Sequence, residues 1–330
     1  MFDECVIRGR QFKPARFCAP LAGYTHSAFR RLLAELGGCG AVWTEMLAAR
    51  QVLAENFETS PWVRRRPQEG FTVFQLMAGA GDPLDRILDR LGEHDVEAVD
   101  LNLACDSRLI RSCTAGSALF ENRTALRAVV GEARRCWPGW LTAKIRLGSR
   151  RPDWESRFAE RLRLLEEEGV DAVILHPRFF EDKFKRRARL ELIPWAVSLT
   201  RLPVIANGDL GGPEQVGEQA GHLQPASAIM LGRMAVARPW IFAAWDSPGQ
   251  VDYAEVWRTM HRYIAEDFPP AVALRRLKMF TKYFAANFVF GHQFRVGVSN
   301  APSLEEALNL ANDFFSRGPA TFAQPTITGR

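Results

Sequence analysis

Asp153–Glu168 reads DWESRFAERLRLLEEE. It is followed directly by Gly169–Val173 (GVDAV), whose last two residues begin the apolar run Ala172–His176. The first segment repeats apolar residues at helical spacing between charged ones. Glycine is typical of the residue that ends a helix, and the short apolar run after it is typical of a buried strand. This helix-to-strand unit indicates the fold, because similar units recur along most of the chain.

Apolar, β-prone runs alternate with amphipathic segments such as Ser27–Leu36, Pro83–Gly92 and Arg123–Cys136. Repeated strand–helix units predict a parallel sheet. Eight units within about 240 residues match the size of a (β/α)₈ TIM barrel, so the predicted class is α/β. An open doubly wound sheet is the structural alternative. The predicted strands are Arg16–Ala19, Ala41–Thr44, Thr72–Leu76, Ala98–Leu103, Thr142–Arg146, Ala172–His176, Pro203–Ala206 and Ser227–Leu231.

The β-prone runs stop after Asp246, and only helical segments follow. Ser303 is a predicted N-cap, with Glu306 placed three residues later as in a capping box. We therefore predict a catalytic barrel domain over residues 1–245 and a small helical domain over residues 246–330. The predicted helical stretches are Tyr253–Asp267, Ala271–Phe288 and Leu304–Phe315.

Composition narrows the class of protein. The chain has 330 residues, 47% hydrophobic and 25% charged, which is ordinary for a globular enzyme. Its net charge of +5 favours a polyanionic partner. The six cysteines lack paired metal-binding spacing, Met1–Arg10 does not resemble a signal peptide, and no apolar run is as long as a membrane span. We expect a cytoplasmic monomer with reduced thiols and no bound metal.

Barrel enzymes carry their chemistry at the carboxyl ends of strands. Nearly every predicted strand ends on a side chain that can hydrogen-bond or ionise, which predicts an active site there. Lys144 could stabilise negative charge on a reduced flavin, and Gln75 could pair with the pyrimidine edge of the same ring. His176 could reach the ring or a phosphate, although a lone histidine at a strand end is more often a packed residue.

The ends of the last two strands form a pair. Asn207-Gly208-Asp209 and Gly232-Arg233 offer glycine backbone, exposed N–H groups and a cation. Loops after strands seven and eight often bind phosphate in this fold. The alternative is that both glycines serve only their turns.

Several motifs in the same order resemble the dihydrouridine synthase family, over roughly residues 14–316. Asp100–Cys105 (DLNLAC) resembles the family's active-site motif, Asp-x-Asn-x-Gly-Cys-Pro. The other matching segments are Ala19–Thr25 (APLAGYT), Thr44–Met46 (TEM), Lys144–Gly148 (KIRLG), His176–Arg178 (HPR), Pro203–Asp209 (PVIANGD) and Leu231–Arg233 (LGR).

The resemblance implies an FMN enzyme that is reduced by a nicotinamide cofactor, usually NADPH, and that converts uridine in tRNA to 5,6-dihydrouridine. Hydride goes to C6 of uracil, and a cysteine, here Cys105, protonates C5. By position, the flavin ring would contact Pro20, Leu21, Ala22, Gln75, Asn102, Lys144 and His176. The phosphate would contact Asn207, Gly208, Asp209, Gly232 and Arg233.

The chain departs from the family pattern mainly on the substrate side. Ala104 and Asp106 replace the glycine and proline that flank the cysteine, and His26 replaces an aspartate. A carboxylate at Asp106 favours the protonated thiol that a general acid needs, although Arg108 or Arg111 could cancel its charge. Cys113 lies on the same loop and is interpreted as structural.

Three basic clusters favour an RNA partner, against the alternative of a solvated charged face. Target uridines in folded RNA must be extruded, and Phe179 and Phe180 could stack on the base or belong to the core. Two other functions stay open: an FMN barrel oxidoreductase acting on a small molecule, and a non-catalytic RNA-binding relative. The clusters are Arg64–Arg66, Lys183–Arg189, and the helical set Arg275, Arg276, Lys278 and Lys282.

Overall fold

Eight parallel strands form a closed barrel in the computed structural model, which describes residues 1–107, 110, 113–182, 186–246 and 249–327. The last strand pairs with the first, with Ile229 opposite Arg16, so the sheet has no free edge. The TIM barrel is therefore confirmed, and the open sheet is excluded. The barrel strands are β3 (Arg16–Cys18), β4 (Ala41–Trp43), β6 (Thr72–Met77), β7 (Ala98–Asn102), β8 (Trp140–Arg146), β9 (Ala172–His176), β10 (Val204–Asn207) and β11 (Ala228–Leu231).

Two small strand features were not predicted. A hairpin of β1 (Cys5–Ile7) and β2 (Arg10–Phe12) precedes the barrel, and the two-residue β5 (Leu47–Ala48) pairs with β6. Phe12 of the hairpin packs against Phe17 and Trp140, with ring centroids 5.3 and 5.0 Å apart. Because Phe17 and Trp140 lie near the amino ends of their strands, the hairpin covers the barrel end opposite the expected site.

Helices surround the barrel and bury their apolar faces against it. In the helix Trp154–Glu167 the buried face includes Phe158, Leu162 and Leu165, which is the helical spacing visible in the sequence. The helix Arg123–Cys136 begins at a side-chain cap, because Asn122 accepts a hydrogen bond from the backbone N–H of Ala125. The helices are α1 (Ser27–Leu36), α2 (Leu84–Gly92), α3 (Ser117–Glu121), α4 (Arg123–Cys136), α5 (Trp154–Glu167), α6 (Ile193–Ser198), α7 (Pro213–Glu218), α8 (Ala220–Leu223) and α9 (Arg233–Ala237).

Four helices follow the barrel: α10 (Tyr253–Asp267), α11 (Pro270–Phe284), α12 (Gly291–Asn300) and α13 (Leu304–Ser316). The Ser303 cap is present, since its hydroxyl accepts from the N–H of Glu306. The predicted helix Ala271–Phe288 ends at Phe284, and α12 was not predicted as a separate helix. Two residues at the expected domain boundary, Ser247 and Pro248, lie outside the described residues.

The C-terminal helices pack directly on the barrel layer. Asp267, at the end of α10, is buried and bonds to the Ser27 hydroxyl and the Arg66 guanidinium, with Arg64 Nη1 3.7 Å away. Within the described residues, no helix is both long and apolar enough to cross a membrane.

Candidate active site

Polar side chains from four adjacent strands, β6 to β9, meet at the carboxyl end of the barrel. Strand pairing places Gln75 opposite Asp100, Asn102 opposite Lys144, and Arg146 opposite His176. All six side chains are buried. The barrel mouth therefore holds a polar cluster inside a layer of apolar strands, as an active site at this position would.

The side-chain amides of Gln75 and Asn102 are hydrogen-bonded to each other. The Asn102 amide donates to Gln75 Oε1 at 2.9 Å, and Gln75 Nε2 donates to Asp100 Oδ2 at 2.6 Å. Burial raises the pKa of Asp100 to about 6, although hydrogen bonds from Gln75 and Thr142 and the charge of Lys144 oppose the rise. The two amides expected to orient a ring are thus fixed by a buried carboxyl group.

Cys105 is half-buried at the start of the loop after β7. Asn102 Oδ1 accepts the backbone N–H groups of Ala104 and Cys105 at 3.1 and 3.0 Å. The Cys105 carbonyl accepts the Ser117 N–H at 2.9 Å, and the Ser117 hydroxyl donates to Asp106 at 2.8 Å. The backbone on both sides of the thiol is therefore tied down, so the loop presents Cys105 in a defined place.

The two arginines expected to modulate Asp106, Arg108 and Arg111, lie outside the described residues. Arg146 interacts electrostatically with both Cys105 and Asp106. A cation on the neighbouring strand therefore faces the loop of the thiol. Cys113 is exposed, in contrast to Cys105.

Lys144 projects into the same cluster and is 9% exposed. Burial, together with the charge of Arg146, lowers the pKa of Lys144 to about 8, while Asp100 and Cys105 oppose the fall. Burial and the charges of Lys144 and Arg146 also hold the pKa of His176 well below its usual value, so this imidazole is neutral. The mouth concentrates positive charge around a neutral histidine, which suits an anionic ligand.

The two loops expected to bind phosphate lie together. Their carboxylate, Asp209, forms ion pairs with two arginines. Asp209 accepts from Arg178 Nη2 at 2.6 Å, from Arg233 Nη2 at 3.0 Å and from the Ala188 N–H at 2.8 Å. Arg178 also contacts His176 Nε2 at 3.1 Å. In this arrangement Asp209 positions two arginines at the mouth, and the arginines are the groups that suit a phosphate.

Asn207 and Gly208 have structural partners in the same loops. The Asn207 amide donates to the Met230 carbonyl of the next strand at 2.8 Å. Gly208 has φ +123°, and a Cβ there would lie 2.7 Å from His176 Cδ2 and 2.9 Å from Ala188 Cβ. A side chain at position 208 would therefore strain this turn and clash with His176 and Ala188. At Gly232 a Cβ would make ordinary contacts with Leu21 and Ala19, at 3.9 and 4.0 Å, so this glycine lies against the apolar segment that follows β3.

Pro20, Leu21 and Ala22 follow β3 at the rim, and they are partly to fully exposed although apolar. The turn after them is anchored, since the Gly23 N–H donates to Glu45 Oε2 at 2.6 Å. Arg276 of α11 lies 3.6 Å from the other oxygen of Glu45. The C-terminal helices therefore support the rim segment directly.

Phe179 and Phe180 cannot stack on a base in this structure, because they are 6% and 4% exposed. Phe179 lies between the guanidinium groups of Arg150 and Arg189, at 4.9 and 5.0 Å from its ring centre. The stacking prediction is wrong, and the core alternative is correct.

The basic clusters are partly internal. Arg66 and Arg276 are committed to Asp267 and Glu45, so they do not belong to a free charged face. Residues 183–185 of the second cluster lie outside the described residues, whereas Arg186 and Arg187 are exposed. Arg275 and Lys282 are exposed on α11, and Lys278 is half-buried.

Sequence reasoning assigned no role to Asp100, Arg146 or Arg178. A signal existed, because side chains two residues apart in a strand share a face. Asp100 thus shares a face with Asn102, and Arg146 with Lys144. Among the described residues, no cluster of histidine, cysteine and carboxylate side chains could hold a metal ion.

The chain is a TIM barrel, and its mouth combines buried cations, ordered amides and a half-buried thiol, an arrangement typical of barrel enzymes. A solved structure of similar fold is the old yellow enzyme homologue from Zymomonas mobilis. It has a TM-score of 0.55 and 11% identity, and the match covers 76% of this chain and 93% of that one.

Residues 17–317 match the family model described as dihydrouridine synthase (Dus), and the chain belongs to this family. It is 27% identical over 323 residues to a protein of Proteus vulgaris named tRNA-dihydrouridine synthase B, covering 93% of this chain and 98% of that protein. Proteins of the same name from Escherichia coli K12 and Vibrio parahaemolyticus are 26% and 30% identical, covering 92% and 72% of this chain and 97% and 72% of theirs. Membership identifies the chain as an oxidoreductase and implies a flavin cofactor.

Proposed function

We propose that this protein uses FMN, reduced by NADPH, to convert uridine in tRNA to 5,6-dihydrouridine. The observation that carries the proposal is the position of Cys105, tied through its backbone to Asn102 at the mouth of a cation-rich barrel. Family membership and the names of the relatives support the substrate.

The residues at the mouth fit FMN. Its ring needs apolar contacts, and Pro20, Leu21 and Ala22 provide exposed apolar surface at the rim. Its phosphate needs cations, which Arg178 and Arg233 supply where Asp209 holds them. Gly232 connects these two regions, since it lies against Leu21 and directly precedes Arg233. When bound, FMN supplies the hydride that goes to C6 of the uracil.

The remaining assignments follow from chemistry. Lys144 stabilises negative charge at the pyrimidine edge of the cofactor, and Gln75 and Asn102 orient polar edges of cofactor and base. Neutral His176 offers one donor and one acceptor near the phosphate side. Asn207 and Gly208 shape the first phosphate loop through their own packing, Asp209 holds its arginines, and Gly232 and Arg233 complete the second loop.

Cys105 acts as the general acid. Its thiol holds a proton and delivers it to C5 as C6 receives hydride, after which the thiolate regains a proton from solvent. Arg146, a cation of the adjacent strand, interacts electrostatically with both Cys105 and Asp106.

Residues 1–245 form the catalytic domain in this proposal, and residues 246–330 bind RNA. Exposed Arg275 and Lys282 on α11 are suited to phosphate contacts, as are Arg186 and Arg187 beyond β9. We place the enzyme in the cytoplasm as a monomer, where the modification of one folded tRNA needs one barrel.

The test is a map of dihydrouridine in cellular RNA from cells that make the protein, cells that lack it, and cells that make Cys105→Ala. Loss of one or a few sites without the protein, and with Cys105→Ala, is expected. Cys113→Ala is the matched control on the same loop and keeps those sites. Identical maps with and without the protein would contradict the proposal.

A further inference from the structure

A continuous chain of buried hydrogen bonds runs from the barrel interior to the Cys105 loop. Thr142 Oγ1 donates to Asp100 Oδ1 at 2.6 Å, and Gln75 Nε2 donates to Asp100 Oδ2 at 2.6 Å. Asn102 Nδ2 then donates to Gln75 Oε1 at 2.9 Å. Asn102 Oδ1 accepts the N–H groups of Ala104 and Cys105 at 3.1 and 3.0 Å. Each link is within hydrogen-bond distance, and the side chains of Thr142, Asp100, Gln75 and Asn102 are all buried.

The carboxylate gives this chain a direction. A side-chain amide has one donor end and one acceptor end, whereas an ionised carboxylate only accepts. Asp100 therefore requires the NH₂ group of Gln75 to face it, which turns Gln75 Oε1 toward Asn102. That oxygen in turn requires the NH₂ group of Asn102, and Asn102 Oδ1 is left to face the loop. If Asp100 offered no fixed acceptor, both amides could reverse together, and Asn102 would turn an NH₂ group toward two backbone donors.

We propose that Asp100 is a positioning residue for Cys105: through Gln75 and Asn102, its carboxylate holds the backbone N–H groups that set the place of the thiol. Two side chains, Gln75 and Asn102, separate Asp100 from the loop that carries the thiol, and Asp100 is 0% exposed. Its effect on the thiol therefore passes through these two amides. The consequence for catalysis rests on the proposed function, whereas the consequence for the loop does not.

The experiment measures hydrogen–deuterium exchange resolved to single backbone amides in the full chain. In Asp100→Ala the amides of Ala104 and Cys105 should exchange about fivefold faster, since a typical hydrogen bond contributes about 1 kcal/mol and these two lose a fixed acceptor. The Leu103 amide is the internal control, because it donates to the Lys144 carbonyl at 2.9 Å and needs no side chain. Its exchange should stay unchanged.

Two variants separate positioning from general loosening of the barrel. Thr142→Val removes a hydrogen bond to the other oxygen of Asp100 and leaves the Gln75 link, so the exchange of residues 104 and 105 should not change. The double variant Gln75→Glu with Asp100→Asn moves the carboxylate one step along the chain. It then accepts from the new amide at position 100 and from Asn102, so Asn102 keeps its orientation, and slow exchange should return.

The proposal is overturned if Asp100→Ala leaves these two amides at the wild-type rate, if Thr142→Val accelerates them equally, or if the double variant exchanges as fast as Asp100→Ala. Should Asp100→Ala fail to fold, Asp100→Asn alone takes its place: its amide can present either end to Gln75 and no longer fixes the direction of the chain, so residues 104 and 105 should exchange faster than in the double variant, and equal rates in these two variants would overturn the proposal. In the active enzyme, Asp100→Ala should lower kcat for dihydrouridine formation and leave KM for tRNA unchanged. Exchange as expected in a wild-type protein that forms no dihydrouridine would refute the proposed function and leave the positioning role standing.

Discussion

Replacing Lys144 by methionine should make the free protein more stable. The side chain is 9% exposed, and burial with the charge of Arg146 lowers its pKa from 10.5 to about 8. At 1.36 kcal/mol per pKa unit, this difference corresponds to about 3 kcal/mol of destabilisation by the buried charge. Methionine keeps the length of the side chain and removes that charge. The gain should fall below about 3 kcal/mol, because Asp100 loses a favourable neighbour.

The effect of Lys144 on the free energy of unfolding should depend on pH. Below pH 8 the lysine is protonated in both the folded and the unfolded chain, so the destabilisation is fully present. Between pH 8 and the ordinary pKa of 10.5 the unfolded chain binds more protons than the folded one, so stability rises with pH. The Lys144→Met protein should lack this rise.

The assay is urea unfolding followed by circular dichroism, with FMN removed, at pH 7 and at intervals up to pH 10. Lys13→Met is the matched control, because the same chemical change at an exposed lysine should alter stability by no more than about 0.5 kcal/mol. A Lys144→Met protein that is less stable than wild type at pH 7, or that keeps the wild-type rise with pH, would show that the buried charge does not destabilise the fold.

Three further outcomes are expected. Asp267→Ala should lower the free energy of unfolding by about 3–5 kcal/mol in urea denaturation, since it leaves buried partners of the carboxylate uncompensated; a loss comparable to that of a surface variant would contradict the contact seen here. Phe179→Ala should cost a similar amount by the same assay, about 3–5 kcal/mol, while KM for tRNA stays within about twofold; a large rise in KM at unchanged stability would restore the stacking role that its burial excludes. Because burial raises the pKa of Asp100 to about 6, its side chain is ionised above pH 6 and protonated below it. The value of kcat measured against pH should therefore fall on the acid side near pH 6. A profile that stays flat from pH 7 to pH 5 would argue against an ionised Asp100 in the working enzyme.

The barrel could be predicted from sequence because each strand is a continuous apolar run between helices with clear periodicity. Val204–Asn207 and Ala228–Leu231, for example, lie within two residues of their predicted positions. The first hairpin was missed for a physical reason: its strands have three residues each, too few for a pattern of two to be recognised.

The sequence predicts which residues lie at the barrel mouth, but not which of their side-chain atoms pair with one another. The rule that strand ends carry the chemistry brought Gln75, Asn102, Lys144 and His176 together correctly. The pairing of their atoms depends on contacts between distant segments, such as the one that joins Asp209 to Arg178 and Arg233. Asp209, which the sequence places with the phosphate-binding residues, holds these two cations in place.

A run of basic residues in the sequence does not show which of its side chains are exposed. Arg66 and Arg276 belong to runs of cations that favour an RNA surface, yet both meet buried carboxylates across the barrel and the C-terminal helices. Their partners lie 201 and 231 residues away, respectively, so no local pattern could reveal the pairing.

We propose that Cys105 supplies the proton while reduced FMN supplies the hydride, and an experiment that separates the two half-reactions tests this division of roles. Protein loaded with FMN is reduced with NADPH without oxygen and then mixed with tRNA that lacks dihydrouridine, and flavin absorbance is followed. In Cys105→Ala, reduction by NADPH should proceed at the wild-type rate, whereas reoxidation by tRNA should slow by about 100- to 10,000-fold, the contribution of a positioned general acid. Reoxidation of Cys105→Ala within about tenfold of wild type, with dihydrouridine formed, would contradict the account.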